Sequence, residues 1–401
     1  MFLLTQDLQS PSGIGRYFPL CKNLVKQGYA VTMAALHSRY DSLDDRTTIK
    51  EGVKISYVAQ MHVRKENNQT IYFRAPQLIW YSIVATWRLF LFLLKHPVDV
   101  VIICKPHPMN SIAGLLGGVL TRAKIVLDCD DYEAASNYFR SVWQRWVVMV
   151  FENWMPKLVH HITTNTIFNK RRMIEAGIPI GKIDYIPNGV DLDRFHIDDG
   201  EQNGQIFITH QIGDQKVVAY IGSLSLKNHP VDLLIEAFQI MTTKMQDVIL
   251  LIVGGGKDLN KLQELSKKLG IQERVFFEGR VPPDLIPYYY QIAHVSVDPV
   301  YDTDAAKGRC PLKLFESWAM NTPMITSDVG DRGFLSGTPP ALLLVKPGDK
   351  QDLAENLITI LNNPDLANTI VREGQKRLPD YAWKRLAKQF SNILIRVGNS
   401  S

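Results

Sequence analysis

The sequence is poor in cysteine, and the few cysteines present are scattered. The chain has 401 residues and four cysteines, none of which forms a CxxC pair: Cys21, Cys104, Cys129 and Cys310. This spacing argues against a disulfide framework and against a zinc site built on thiolates. We therefore expect a reducing compartment, and the predicted location is the cytoplasm.

Runs of like charge are also missing, although the chain as a whole is mildly basic. The formal net charge is +5 and the isoelectric point is about 8.8, but no Lys/Arg run is long enough for a nucleic-acid-binding tract. Nucleic acid is therefore not expected as a partner. The mild positive charge fits phosphorylated ligands or an anionic membrane surface.

Long apolar segments are nearly absent. The strongest one, Ile79–Leu94, has 16 residues and carries Arg88 in its middle, whereas a spanning helix needs ~20 apolar residues. We predict a buried or interfacial helix there. No basic region follows Met1, so we interpret Phe2–Leu4 as a strand and not as part of a signal peptide.

Strands and helices alternate in both halves of the chain. This alternation predicts an α/β fold with parallel sheets that are covered on both faces. We place one Rossmann-like domain at 1–192, a polar linker at 193–215 and a second Rossmann-like domain at 216–380. Residues 381–401 are predicted to form a last helix that crosses back to the N-terminal domain. Other predicted elements are the helices Arg16–Gln27 and Asn137–Leu158 and the strand Tyr29–Ala34.

The strongest functional pattern lies between two predicted strands near residue 310. Apolar spacing predicts a helix from Leu312 to Met320, started by Pro311 and ended by Asn321-Thr322-Pro323. A helix N-terminus at the carboxyl edge of a parallel sheet favours anions.

Two ionisable residues of this helix, Lys313 and Glu316, are three positions apart and share a face. Lys313 could bind a phosphate, and Glu316 could accept hydrogen bonds from sugar hydroxyls. The alternative is an ordinary ion pair on the solvent side.

Acidic and basic residues also follow two strands of the first domain. Asp128-Cys129-Asp130-Asp131 invites a metal interpretation, since carboxylates suit hard cations. Capping of a helix N-terminus by Asp130 or Asp131 is the simpler alternative. Lys105 could contact a phosphate or another acidic ligand, and His107 could act as general acid or base. Both could equally be ordinary loop residues with exposed tips.

One further predicted helix combines aromatic and basic residues. It carries Trp143, Trp146, Phe151 and Trp154, with Arg140, Arg145 and Lys157 nearby. Such a composition suits a membrane surface, but packing against a sheet explains it equally.

Several motifs together resemble glycosyltransferase family 4, whose members have the GT-B fold. The similar segments are IPNGVDLDRF at 186–195, YIGSLSLKNHPVDLLIEAF at 220–238, PLKLFESWAMNTPMITSDVG at 311–330 and PSGIGRYFPLCKNLVKQGYAVTM at 11–33. The resemblance covers nearly the whole chain. It implies transfer of a sugar from a nucleotide-sugar donor to a carbohydrate or lipid-linked acceptor, with retention of anomeric configuration and without a metal cofactor.

The resemblance also implies roles for particular residues. Lys227 matches a lysine that binds the donor phosphates, and Glu316 matches the glutamate that holds the donor ribose. The loop at Gly279, Arg280 and Val281 matches the part that contacts the base. Further donor-binding residues are expected at Gly13, Gly15, Ser223, Leu314 and Phe315. Lys313 and Asp130 complete the expected catalytic set. For Asp128–Asp131 the resemblance favours a carboxylate that orients the acceptor over a metal site. The candidates for acceptor binding or for a second tier are Lys105, His107, Asp131, Arg16, Gly254, Gly255 and Asp304.

The chain departs from the family pattern at three positions. Ser223 stands where the family has an arginine that binds phosphate, and Gly308 stands where it has the first glutamate of a pair. We expect Lys313 to replace the missing cation, and Asp302 or Asp304 to replace the carboxylate. The third departure is Asp130, which stands where the family often has a histidine.

These departures keep two alternatives to a sugar transferase open. One is a nucleotide-sugar 2-epimerase of the same fold. The other is a non-catalytic subunit that binds a sugar nucleotide.

Overall fold

The computed structural model describes residues 1–8, 10, 12–66, 69–139, 141–197 and 213–399. Most of the predicted linker, at 198–212, and Arg140 lie outside the described residues. The chain divides into two compact units. The first contains Met1–Gly189, Gly308–Cys310 and Trp383–Ser401, and the second contains Val190–Lys307 and Pro311–Ala382.

The first unit is built on an eight-stranded sheet with the order β10-β9-β8-β7-β1-β2-β4-β3. Neighbouring strands are parallel except for the edge strand β3, which pairs antiparallel with β4. The strands are β1 (Phe2–Leu3), β2 (Thr32–His37), β3 (Thr47–Lys50), β4 (Val53–Gln60), β7 (Val100–Cys104), β8 (Lys124–Cys129), β9 (His161–Thr164) and β10 (Ile183–Tyr185), and a separate hairpin is formed by β5 (Val63–Glu66) and β6 (Gln69–Tyr72).

Helices cover both faces of this sheet. They are α1 (Phe18–Val25), α2 (Ala75–Lys95), α3 (Pro108–Thr121), α4 (Glu133–Ser136), α5 (Val142–Leu158), α6 (Ile167–Glu175) and the C-terminal helix Trp383–Asn399. Leu3 belongs to one apolar core and its neighbours Phe2 and Leu4 to another, as strand alternation requires. The C-terminal helix packs on α1, and its Phe390 ring stacks on Phe2.

The second unit is built on a six-stranded sheet with the order β13-β12-β11-β14-β15-β16, parallel throughout. Its strands are β11 (Lys216–Ile221), β12 (Val248–Val253), β13 (Val275–Gly279), β14 (Val295–Asp298), β15 (Met324–Ser327) and β16 (Leu343–Val345). Its helices are α7 (Val231–Thr242), α8 (Leu259–Lys268), α9 (Ile286–Gln291), α10 (Asp304–Lys307), α11 (Leu312–Ala319), α12 (Arg332–Ser336), α13 (Lys350–Asn362) and α14 (Pro364–Arg377), so that the C-terminal helix is α15.

The predicted architecture is confirmed, but several element boundaries were wrong. The helix expected at Arg16–Gln27 begins earlier, with a π-helical turn at Gly13–Tyr17. The strand expected at Tyr29–Ala34 runs instead over Thr32–His37. The helix expected at Asn137–Leu158 begins only at Val142, because Asn137 has extended backbone angles and follows the short helix α4.

The apolar segment Ile79–Leu94 belongs to a helix that is longer than the segment, and most of that helix is not buried. It lies in α2, which has 21 residues, and only 17% of its most apolar window is buried. By length and composition α2 could cross a membrane, although one such helix is weak evidence. Its buried face is formed by Ala85, Leu89 and Leu93 alone, so packing in a core accounts for only one side of the helix.

Candidate active site

Helix α11 forms close to where the sequence predicts it. Leu314, Phe315 and Trp318 on its apolar face are buried. It ends before Asn321, which adopts a left-handed conformation (φ 55°) that asparagine tolerates better than most residues. The packing of this face therefore fixes the positions of Lys313 and Glu316 on the opposite side.

Lys313 is held by a carboxylate that the sequence analysis missed. Lys313 Nζ lies 2.9 Å from Asp298 Oδ1, and Arg332 Nη2 lies 2.7 Å from Asp298 Oδ2. Burial opposes ionisation, but these two cations hold the pKa of Asp298 below its usual value. Since one carboxylate faces two cations, the Asp298 cluster, defined as Asp298, Lys313 and Arg332, carries one net positive charge.

The same ammonium group lies beside the turn that follows β11. Lys313 Nζ is 4.2 Å from the centre of the Tyr220 ring, a cation–π contact. The Tyr220 hydroxyl donates a hydrogen bond of 2.8 Å to the carbonyl of Ser223. This arrangement places a cation next to Ser223, where the sequence analysis noted a missing arginine.

The glycine-rich turn after β12 packs against the turn after β11. Gly254 has φ 140°, and a Cβ atom there would overlap the carbonyl oxygen of Gly222. The Gly254 N–H donates to the carbonyl of Gly279 (2.8 Å), and Gly255 lies against the Arg280 side chain. The carboxyl ends of β11, β12, β13 and β14 thus bring Gly254, Gly255, Gly279 and Arg280 near the Asp298 cluster.

Glu316 accepts a hydrogen bond and faces a cation. The Tyr290 hydroxyl donates to Glu316 Oε2 (3.1 Å), and Arg194 Nη2 lies 3.6 Å from Glu316 Oε1. Burial raises the pKa of Glu316 above its usual value, against the opposing effect of Arg194. The sequence analysis missed both partners: it placed Arg194 in the linker, and no pattern in the sequence connects Tyr290 with Glu316.

Other predicted donor residues have different surroundings. The side chains of Leu314 and Phe315 are fully buried, and Phe315 stacks on Tyr381 at 4.8 Å. Any contact of these two residues with a donor would therefore involve their main chains, and their predicted donor binding stays a prediction. Lys227 and Ser223 are exposed, Val281 is half-buried, and Asp304 is exposed at the start of α10, while Asp302 pairs with Lys307 (2.8 Å).

In the first unit, Lys105 lies among three carboxylates. Its ammonium nitrogen is 2.7 Å from Asp131 Oδ2, 3.0 Å from Glu133 Oε1 and 3.4 Å from Asp130 Oδ2. Lys105 has φ 68°, an unusual conformation for a lysine, and its side chain is nearly buried. We call Lys105, Asp130, Asp131 and Glu133 the Lys105 cluster.

The Lys105 cluster bears on the metal interpretation of Asp128–Asp131. The Lys105 ammonium occupies the position between the carboxylates that a cation would take. Within the described ranges, no group of three or more Asp, Glu, His or Cys side chains has the arrangement of a metal site. The carboxylates therefore have a protein cation as their partner.

His107 and Asp131 complete the ionisable groups around the Lys105 cluster. His107 Nδ1 lies 2.8 Å from Thr5 Oγ1 and His107 Nε2 lies 2.9 Å from Glu133 Oε2. Burial raises the pKa of Asp131 to about 6, although Lys105 and Arg309 oppose it. In contrast, Lys105 and His107 outweigh burial and lower the pKa of Glu133. The carboxylates outnumber the lysine, so the Lys105 cluster suits neutral hydroxyl groups better than an anion.

Arg16 corrects a further prediction, because it is a structural residue. It is completely buried and makes two hydrogen bonds to Asp128, of 2.8 Å and 2.7 Å. A third donor, Nη1, reaches the Asn188 side chain (2.9 Å) and the carbonyls of Ile186 and Pro187. With its donors committed to protein groups, Arg16 is unable to bind an acceptor directly. Gly13 and Gly15 lie in the preceding π-helical turn and are buried.

Glu152 links helix α5 to the residues around Glu133. Its carboxylate accepts hydrogen bonds from the N–H groups of Glu133 (2.9 Å) and Ala134 (3.1 Å), and Arg172 donates to it at 3.0 Å. Burial raises the pKa of Glu152 from 4.5 to about 7, and Arg172 only partly offsets this. The folded protein therefore retains a proton between these pH values that the unfolded chain has already released.

This retained proton predicts the direction of a pH effect on stability. The free energy of unfolding should fall as pH rises from 4.5 to 7, by on the order of 2 kcal/mol. Glu152→Gln should flatten this part of the profile, and the exposed control Glu264→Gln should not. Urea unfolding midpoints over this pH range measure the effect, and an unchanged slope in Glu152→Gln would contradict it.

Comparison with known proteins gives the class of this protein. The family model of glycosyl transferases group 1 matches residues 202–377, and that of Glycosyltransferase Family 4 matches residues 12–194. Among solved structures, sucrose-phosphate synthase from Thermosynechococcus elongatus has a TM-score of 0.78 at 18% identity and covers 100% of this chain and 99% of its own. Anabaena Alr3699/HepE in complex with UDP and glucose has a TM-score of 0.73 at 17% identity, covering 98% of both chains.

These similarities establish a GT-B fold, and the chain belongs to glycosyltransferase family 4. One curated relative is the GDP-mannose-dependent alpha-(1-6)-phosphatidylinositol monomannoside mannosyltransferase of Mycolicibacterium smegmatis, which is 30% identical over 193 residues. That alignment spans 48% of this chain and 48% of the relative. The first curated relatives are thus matched over about half to three-fifths of their length.

Proposed function

We propose that this protein is a retaining glycosyltransferase that moves a sugar from a nucleoside diphosphate sugar to a carbohydrate or lipid-linked acceptor. We assign it to the biosynthesis of cell-surface glycans or glycolipids. The observation that carries the proposal is the net positive charge of the Asp298 cluster beside the Gly254 turn. A positive group fixed in this position suits the diphosphate of a donor.

The proposed chemistry follows from where charge develops. As the bond between sugar and diphosphate breaks, negative charge grows on the leaving phosphate, and a preorganised cation lowers the barrier. Lys313 supplies that charge because Asp298 neutralises only one of the two cations beside it. We expect transfer to proceed without a metal ion, and activity in the presence of EDTA measures this.

We propose the Lys105 cluster as the site that binds the acceptor. Asp130 Oδ2 is buried and lies 3.4 Å from the Lys105 ammonium without accepting a hydrogen bond from a described residue, and Asp131 is partly exposed. Carboxylate oxygens accept hydrogen bonds from hydroxyl groups, so these two side chains could orient a sugar or polyol acceptor. Lys105 and His107 would then hold the carboxylates in position.

Glu316 provides the first test of the donor site. If Glu316 accepts hydrogen bonds from ribose hydroxyls, Glu316→Gln should weaken binding of the nucleoside diphosphate by about tenfold, since a charged acceptor is worth about 1.5–3 kcal/mol. Its melting temperature should change little, because Arg194 lies 3.6 Å away and both side chains retain some exposure. A thermal-shift series with GDP, UDP and ADP identifies the base, and GDP comes first because of the mannosyltransferase relative.

The result that would remove Glu316 from the donor site is equally specific. A variant that melts much earlier yet binds the nucleoside diphosphate normally when kept cold would assign Glu316 a structural role. Glu278→Gln is a matched control, since Glu278 also accepts a hydrogen bond from a tyrosine, Tyr289 (3.1 Å), in the same unit.

Products distinguish the proposed transfer from the two alternatives. A 2-epimerase would convert the donor sugar without an acceptor, and a non-catalytic subunit would bind the donor without turnover. Mass analysis of reaction mixtures with and without an acceptor separates all three functions.

We also propose peripheral contact with the cytoplasmic face of an anionic membrane. Helix α3 packs against both α2 and α5, so the three lie side by side. Each exposes large apolar side chains: Ile79, Trp80, Ile83 and Trp87 on α2, Leu116, Val119 and Leu120 on α3, and Trp143, Trp146 and Trp154 on α5. Apolar exposure on this scale is unusual for a surface that faces only water. Basic side chains on α2 and α5, among them Arg88 and Lys157, complement anionic lipids.

A further inference from the structure

A groove at the edge of the first unit has no role in the proposed chemistry. It lies between the β3–β4 edge of the sheet and helix α2, and its volume is about 290 Å³. Its lining includes Tyr40, Ser56, Tyr57, Arg88, Phe92 and Lys95. Tyrosine rings, a hydroxyl group and cations therefore meet in one depression.

Two cations, Arg88 and Lys95, line this groove, and a third, Arg46, lies beside it over the Tyr40 ring; none of the three forms an ion pair with a residue that the structure describes. The guanidinium carbons of Arg46 and Arg88 lie 4.4 Å and 5.3 Å from the centre of the same ring, that of Tyr40. Arg88 donates one weak hydrogen bond, to the carbonyl of Val58 at 3.4 Å, which leaves its other donors available. Lys95 is exposed and forms no ion pair with a described residue.

Acidic residues do occur nearby, but they do not neutralise the groove. Asp41, Asp44 and Asp45 precede Arg46 in the chain. Like Arg46 they do not line the groove, and all three aspartates are exposed. Guanidinium groups bind phosphate oxygens through paired N–H donors. The charge of the groove is therefore suited to a phosphate group.

The position of the groove on α2 indicates where that phosphate comes from. Arg88, Phe92 and Lys95 face the groove at positions that share one side of a helix. Trp80, Ile83 and Trp87 form the adjacent stripe, and each is more than half exposed. Aromatic residues beside flexible basic side chains are the arrangement that places a helix at a membrane interface.

We propose that this groove binds the phosphate headgroup of an anionic phospholipid while the adjacent apolar stripe of α2 enters the bilayer surface. The inference builds on the proposed membrane contact and adds a defined headgroup site to it. The Tyr40 and Tyr57 rings would form the wall of the site, Arg88 and Lys95 would contact the phosphate, and Arg46 beside the Tyr40 ring would add positive charge. The groove is separate from the Lys105 cluster, so its ligand is a membrane lipid and not the acceptor undergoing transfer.

The test compares two triple variants that change the net charge equally. Arg46→Gln, Arg88→Gln and Lys95→Gln remove the groove cations, and Lys244→Gln, Lys267→Gln and Lys268→Gln remove exposed lysines of the second unit. Binding is measured by sedimentation with phosphatidylcholine vesicles that contain phosphatidylglycerol. The groove variant should lose about a hundredfold in affinity, at about fivefold for each charge, and the control only a few-fold. Thermal melting verifies that both variants are folded.

Two further comparisons distinguish a lipid phosphate from inorganic phosphate, and test the headgroup site separately from the membrane contact. Equal losses in both triple variants would overturn the headgroup site, as would stabilisation by inorganic phosphate without any vesicle binding. A double variant, Trp80→Ala with Trp87→Ala, should bind vesicles weakly whatever the headgroup, and if it binds like the wild type the membrane contact itself is wrong. Sugar transfer to a water-soluble acceptor should be unchanged in the groove variant. A failure of the proposed transferase function can therefore be distinguished from a failure of the headgroup site.

Discussion

Replacement of Lys313 by methionine is expected to lower kcat/KM by about a hundredfold, or roughly 2.7 kcal/mol of transition-state stabilisation. The variant leaves Asp298 paired with Arg332, so the cluster becomes neutral and the diphosphate loses its compensating charge. Methionine keeps an unbranched apolar chain against the Tyr220 ring, which limits the loss of packing. Steady-state kinetics with the donor identified by thermal shift measure the effect.

A matched control shows that the loss is specific to the cluster. Lys350 pairs with Glu236 at 2.8 Å on the surface of the same unit, and Lys350→Met should leave kcat/KM within a factor of two. If Lys313→Met keeps wild-type kinetics, the Asp298 cluster does not contact the donor diphosphate. If its kinetics fall only because the protein unfolds, the melting temperature will reveal it.

Replacement of Arg16 by methionine is expected to have the largest effect on stability, a loss of about 3–5 kcal/mol. The change leaves the Asp128 carboxylate buried without its main cation, with one remaining hydrogen bond from Thr163 at 2.6 Å. Three carbonyl and amide oxygens at 186–188 also lose their donor. Urea unfolding at neutral pH measures the loss.

A double variant identifies the cause. Arg16→Met combined with Asp128→Leu removes both charges and should recover a substantial part of the lost stability, because no uncompensated charge remains. Arg16→Met should also retain transfer activity while folded at low temperature. A variant of normal stability with no activity would instead assign Arg16 to acceptor binding, as the sequence analysis had proposed.

The features that the sequence predicted well depend on neighbouring residues. The apolar spacing of α11 and the breaking residues after it are local, and the helix lies within one residue of its predicted end. The turn after β12 is also marked by its local sequence, because Gly254 has φ 140°, a conformation that glycine adopts more readily than other residues. Parallel sheets followed from the alternation of strands and helices, and the family followed from several motifs in order.

The features that the sequence analysis missed depend on partners that are distant in the chain. Asp298 is 34 residues from Arg332, and Asp128 is 112 residues from Arg16. A single sequence does not show which carboxylate meets which cation, so Arg16 resembled a site residue when it is a buried structural one. A weak signal was present, because Asp128 and Asp298 both end buried strands at the edge of a sheet where ligands bind.

The choice between a buried and an interfacial helix α2 was left open by the sequence for a related reason. Its composition alone is compatible with a core helix, an interfacial helix or a membrane span, and only the structure shows which side chains are covered. Trp80 and Trp87 are exposed although tryptophan is usually well buried. Exposure of this kind is a property of the packed molecule and cannot be obtained from periodicity.

The most direct test of the proposed reaction is the stereochemistry of its product. The protein is incubated with the nucleoside diphosphate sugar that stabilises it most and with a water-soluble acceptor, and the product is followed by proton NMR from the first turnovers. We predict one nucleoside diphosphate released for each glycoside formed, with the anomeric configuration of the donor preserved. A product of inverted configuration, or a rearranged donor sugar formed without acceptor, would contradict the assignment of this chain as a retaining glycosyltransferase.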